Sequence, residues 1–133
     1  MNQYELRHVV LPTEIDELDH VSNLVYLRWA IRAAVQHSAA IGWPTERYLA
    51  AGEGWVVRSH TITYLRPARE GDPIIVRTWV PSVDKVSSIR HYHILRATDQ
   101  TLLADASTTW AYINFQTLRP VRVPAEIRAA FGL

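Results

Sequence analysis

Apolar and polar positions along the chain follow two periods, and their order predicts the elements. Tyr4 to Leu11 alternates loosely through Val9-Val10-Leu11 and is stopped by Pro12, which predicts a first strand. Thr13 to Ser22 is a polar connection. From about Leu24 to Ile41 the spacing becomes helical, and Gly42 and Pro44 close it. Within that helix Arg28, Arg32 and Gln36 fall four apart and form one narrow polar stripe, while Leu, Val, Tyr, Trp, Ile and Ala fill most of the rest. A surface helix carries a wider polar face, so this one is expected to be enclosed. Thr45 to Gly54 predicts a short helical turn. Four strand-like segments follow: Trp55–Leu65, Ile74–Val80 ended by Pro81, Val86–Ala97, and Leu102–Phe115 after a tight Asp99-Gln100 turn. Thr117 to Pro124 leads to a last short helix, Ala125–Phe131. Short turns between the four late strands imply antiparallel neighbours. The simplest architecture is α+β, a five-stranded antiparallel sheet wrapped around one long helix.

Composition narrows this without redirecting it. A chain of 133 residues suits one domain spanning 1–133, able to bury roughly two thirds of its unfolded surface. It contains no cysteine, which removes disulfides, thiolate metal sites and cysteine nucleophiles. The net charge of +1 gives no field favouring nucleic acid or a membrane. Met1 to Arg7 lacks the apolar segment of a signal peptide, and the apolar run 24–41 is interrupted by Arg28, Arg32, Gln36 and His37, so a cytoplasmic domain is expected.

One stretch concentrates reactive groups. Asp16-Glu17-Leu18-Asp19-His20-Val21-Ser22-Asn23 runs directly into the long helix. A carboxylate, an imidazole and an amide are thereby set beside the unpaired N–H groups and the positive dipole end of a helix N-terminus. Ser22 and Asn23 are both plausible caps. Taken alone, Asp16 is a reacting carboxylate or a loop brace. His20 is an orienting group or a partner of the loop backbone. Tyr26 and Trp29 are substrate contacts or core. His91 and His93, two apart on a strand, share a face, but no third ligand accompanies them at a fixed spacing, so no metal is expected. Ser22 with His20 lacks a Gly-x-Ser-x-Gly elbow, which argues against a serine hydrolase.

The pattern Asp-x-x-x-His-Val-x-Asn-x-x-Tyr at Asp16–Tyr26 resembles the signature of hotdog-fold acyl-thioesterases, the hydroxybenzoyl-CoA thioesterase group and the plant-type acyl-ACP thioesterases. Ile62-Thr63-Tyr64-Leu65-Arg66-Pro67 with Gly71-Asp72, and Leu118–Pro124, resemble later segments of the same family in order. Two positions depart: Asp19 stands where many members have glycine, and Ser22 where many have asparagine.

The resemblance implies a hotdog fold and thioester hydrolysis. It makes Asp16 the nucleophile or general base, and places backbone N–H groups at the helix start, Asn23 included, as donors to the developing oxyanion. His20 joins the catalytic set. Tyr26 and Trp29 are the expected substrate contacts, and Arg90, beside Ser87-Ser88, the expected contact to coenzyme A phosphates. No cofactor is implied, since coenzyme A is part of the substrate. The partners implied are an acyl-CoA or acyl-ACP and further copies of the chain, as a homodimer or homotetramer joined through their sheets. A non-catalytic acyl-binding module is the rival reading. A dehydratase of the same fold is disfavoured because no acidic residue lies between Leu24 and Thr45.

Overall fold

The computed structural model describes residues 2–133. Its elements are β1 (Gln3–Val9), a single 3-10 turn (Pro12–Glu14), α1 (Asn23–Ala40), α2 (Thr45–Ala51), β2 (Glu53–Tyr64), β3 (Pro73–Val83), β4 (Ser87–Arg96), β5 (Leu102–Asn114) and α3 (Ala125–Ala130). The five strands form one antiparallel sheet in the order β1-β3-β4-β5-β2, with α1 packed on one face, as the sequence pattern predicts.

Period-two alternation makes the face. Ile74, Val76, Thr78 and Val80 of β3 are buried, as are Ser88, Arg90, Tyr92 and Ile94 of β4. The core joins Tyr92, Ile94, Leu103, Ala104 and Ala106 to Val25, Tyr26, Trp29, Ala30, Ala33 and Ala34 of α1. A second apolar cluster lies around Trp43, Tyr48, Tyr112, Ile127 and Phe131. The alanines on α1 let its backbone approach the sheet closely, and Tyr26 and Trp29 fill the wider gap near its start.

Three details differ from the sequence expectation. First, β2 and β3 are not neighbours: β2 pairs with β5 at the far edge, and β3 pairs with β1 and β4. The 65–72 connection therefore crosses roughly 14 Å, three strand spacings, well within its extended reach of about 26 Å. It is fixed on the way, because Ala68 N–H donates to the Tyr26 hydroxyl (3.0 Å) and Ala68 C=O accepts from Val21 N–H (3.0 Å). Second, Pro81 does not end β3. The strand continues to Val83 through an irregularity between Trp79 and Ser82, the kind of position where a missing N–H is tolerated. Third, the sheet covers only one side of α1. Leu24 is 66% exposed and Val35 48%, and Arg28 and Arg32 face solvent.

Candidate active site

The loop before α1 is a small closed hairpin. Ile15 and Val21 form an isolated antiparallel bridge. Inside it, Asp16 N–H donates to His20 C=O (2.8 Å) and Asp19 N–H donates to Asp16 C=O (3.1 Å). Asp19 completes the turn at φ 64°, the left-handed region that glycine occupies most easily and that aspartate tolerates better than most residues. The departure at Asp19 thus keeps a backbone shape that glycine would also adopt.

That hairpin orients the Asp16 carboxylate. Its Oδ1 accepts from Leu18 N–H (2.9 Å) and, more weakly, from His20 N–H (3.4 Å). Its Oδ2 has no hydrogen-bond partner among the described residues, and the side chain is half-buried. One oxygen is thus anchored to backbone while the other is uncommitted. The His20 imidazole makes no side-chain hydrogen bond among the described residues, so only its main chain contacts Asp16.

The helix start offers donors. Ser22 caps α1 without a side-chain bond, and the first turn closes with Val25 N–H on Ser22 C=O (2.9 Å). The N–H groups of Asn23 and Leu24 donate to nothing among the described residues. They are the orphan donors expected at a helix N-terminus, here with the dipole end beside them. The Asn23 side chain is exposed, and its C=O accepts from the Tyr64 hydroxyl (3.1 Å), which ties β2 to the helix start.

A second carboxylate braces the loop from behind, and no sequence pattern marked it. Glu14 Oε1 accepts from Leu11 N–H (2.8 Å) and lies 2.7 Å from His8 Nε2, while Oε2 accepts from Trp29 Nε1 (3.0 Å). Burial opposes its charge, yet these bonds and the adjacent His8 outweigh it and hold Glu14 below the usual carboxylate range. The only local hint is an acid three residues after Leu11, in the capping-box position of the 3-10 turn.

The structure brings Asp16, His20 and Asn23 together around the start of α1, and it places the other expected residues differently. Trp29 is 2% exposed and Tyr26 3%, stacked edge-on at 5.2 Å, with the Trp29 N–H spent on Glu14 and the Tyr26 oxygen accepting from Ala68. In the single chain they are packing and bracing groups rather than surface contacts. Burial raises the Tyr26 pKa, so its hydroxyl stays protonated. Arg90 corrects the expectation of a phosphate contact. It is 4% exposed, and its guanidinium donates to His37 Nδ1 (2.9 Å) and Thr78 Oγ1 (3.1 Å) beneath α1. His37 lies roughly 20 Å along the helix from Asn23. Alternation put Arg90 on the inner face of β4, where composition alone suggested a solvated charge. His91 and His93, on the opposite face, pack against Trp79 at 5.8 and 5.0 Å.

Known proteins were compared with this geometry in hand. The profile of the thioesterase-like superfamily matches residues 10–131. A chloroplastic acyl-acyl carrier protein thioesterase of Arabidopsis thaliana is 25% identical over 97% of this chain and 68% of its own. Among solved structures, a 1,4-dihydroxy-2-naphthoyl-CoA thioesterase from Synechocystis superposes with TM-score 0.91 at 18% identity, covering 98% of this chain and 96% of that one. A DHNA-CoA thioesterase from Staphylococcus aureus gives 0.90 at 18% identity, over 99% and 90%. No described helix is long and apolar enough to cross a membrane.

Proposed function

As a member of the thioesterase-like superfamily this chain is a thioester hydrolase, and we propose that it cleaves an acyl-CoA to the free acid and coenzyme A with Asp16 as the reacting carboxylate. The observation that carries this is the free Asp16 Oδ2 on a backbone-anchored carboxylate, set just before a helix whose first two N–H groups are uncommitted. Hydrolysis needs both features. A carboxylate attacks the thioester carbonyl or takes a proton from water, and donors must meet the oxygen that becomes negative. The Asn23 and Leu24 N–H groups are preorganised for that oxygen, and losing one such donor typically costs about 3–4 kcal/mol of barrier. Main-chain donors carry this role, so the exposed Asn23 side chain is secondary. The His20 imidazole, unbonded within the chain, is available to the thioester or its water.

The test is thiol release from a panel of acyl-CoAs, with the same acyl groups presented on acyl carrier protein. Turnover of acyl-CoA is expected. Preference for the carrier protein would move the reading to an acyl-ACP thioesterase, which the likeness to the plant enzymes favours. Tight binding of every acyl-CoA without turnover would overturn the catalytic reading.

Assembly completes the proposal. β2 is a twelve-residue edge strand bonded on one side only, with no proline or lysine and with Val56, Val57 and Tyr64 exposed. Such an edge is a template for pairing. Its pairing with the same edge of a second copy gives a homodimer, and Tyr64, which touches Asn23, would carry that interface to the site.

A further inference from the structure

At the other end of α1, between α1, α2 and the inner face of the sheet, lies a cavity of about 170 Å³. Its walls are apolar and aromatic: Trp43, Tyr48, Trp55, Trp110, Phe115 and Phe131 all contribute. Exposed Val35 and Leu49 stand at its mouth, and buried Val80, Ser88 and Arg90 at its floor. Ala34 reaches it from α1, three turns and roughly 16 Å from Asn23. Within one chain it is therefore separate from the Asp16 loop.

Its polar groups are incompletely matched. Arg90 forms no ion pair among the described residues. Its partners, His37 Nδ1 and Thr78 Oγ1, are neutral, and the Phe131 ring 5.6 Å away offers only its π face. His37 is neutral because burial and then the charge of Arg90 pull its pKa down to about 4. Arg90 itself is lowered by burial only to about 10, so it remains a cation at neutral pH. The indole N–H groups of Trp55 and Trp110 are also buried without an acceptor: the hydroxyls of Tyr48 and Tyr92 are their neighbours but stand outside hydrogen-bond geometry. A buried cation without a counter-charge costs several kcal/mol, and each unpaired indole N–H adds to this.

We infer that this cavity is a binding site for a compact apolar carboxylate, with its ring or branched body against the tryptophans and its carboxylate neutralising Arg90. The size fits, since a cavity of roughly 150 Å³ takes up benzene. A planar guanidinium with N–H groups still free is matched to a carboxylate, and an anion supplies the acceptors that the site lacks. An uncharged ligand of the same shape leaves the cation unpaired.

Three of the five tryptophans line the cavity, so intrinsic fluorescence reports its filling. The probes are phenylacetate and its isostere phenylacetamide, titrated into the full chain at neutral pH and followed by fluorescence and calorimetry. Phenylacetate is expected to bind at least about tenfold more tightly than the amide. Arg90→Gln is expected to remove that preference. Ala34→Leu, a good helix former that fills the cavity from α1 and leaves Arg90 in place, is expected to abolish binding of both. Should Arg90→Gln fail to fold, the acid-versus-amide ratio of the natural chain and the Ala34→Leu result still decide. The inference is overturned by absence of any phenylacetate binding up to about 10 mM, by equal affinity for acid and amide, or by binding that survives Ala34→Leu.

Discussion

Asp19 holds a left-handed backbone at the tip of the hairpin that presents Asp16, with φ at 64°. A β-branched residue there is strained by roughly 1–2 kcal/mol, whereas glycine is free of that strain. Asp19→Val is therefore expected to lower stability by that order and to loosen the Asp16 carboxylate, while Asp19→Gly keeps both. Urea unfolding measures the first effect and kcat the second. Glu14 supports the same loop through His8, Leu11 and Trp29. Glu14→Gln keeps one acceptor and weakens the charge-assisted bonds, with an expected loss of about 1–3 kcal/mol on chemical unfolding. Neither role was legible in the sequence. Asp19 reads as an extra charge until its φ is known, and Glu14 gains its importance from Trp29, which only the helix geometry brings to it. Asp16, His20 and Asn23 were legible because they are close in sequence and directly precede a recognisable helix.

Elements were legible wherever one period dominated. α1, β2, β4 and β5 stand within a few residues of their expected bounds, because alternation and helical spacing describe local geometry. Strand order was less accessible: nothing in residues 65–72 declares that they cross the sheet rather than turn back, and their anchor to Tyr26 is a tertiary bond. The expectation of an enclosed α1 overreached for a related reason. Alanine counts as apolar in the pattern, but at Ala39 and Ala40 it is simply exposed. At β2, the unpaired edge makes a prediction. Val57→Asp places a charge on an exposed position of that strand and is expected to shift the chain from dimer to monomer without unfolding it, as light scattering coupled to gel filtration would show. A natural chain that runs as a monomer at micromolar concentration contradicts the proposed assembly.

For the molecule as a whole, the buried His37–Arg90 pair makes stability depend on pH. His37 sits between Asn2, Arg90, Tyr4 and Phe131, and its folded pKa of about 4 lies below the ordinary 6.5. Between those values the unfolded chain binds a proton that the folded chain does not. This contribution is complete above pH 6.5 and is lost as pH falls toward 4, by up to about 3 kcal/mol. Glu14 acts in the same sense over a lower window: its lowered pKa stabilises the fold above its ordinary 4.5 and ceases to as pH drops through the folded value. Unfolding free energy is thus expected to decline from pH 6.5 to 4. His37→Gln should flatten the upper part of that slope, whatever its effect on stability at pH 7.

The account centres on the free oxygen of Asp16, and Asp16→Asn tests it most directly. Asparagine retains an oxygen to accept from Leu18 N–H, so the hairpin keeps its brace, but the side chain is neither nucleophile nor base. With acyl-CoA as substrate and thermal unfolding as the control for folding, kcat/KM is predicted to fall by about 10²–10⁴-fold at an almost unchanged Tm. A folded Asp16→Asn protein that hydrolyses acyl-CoA at the natural rate would contradict the account.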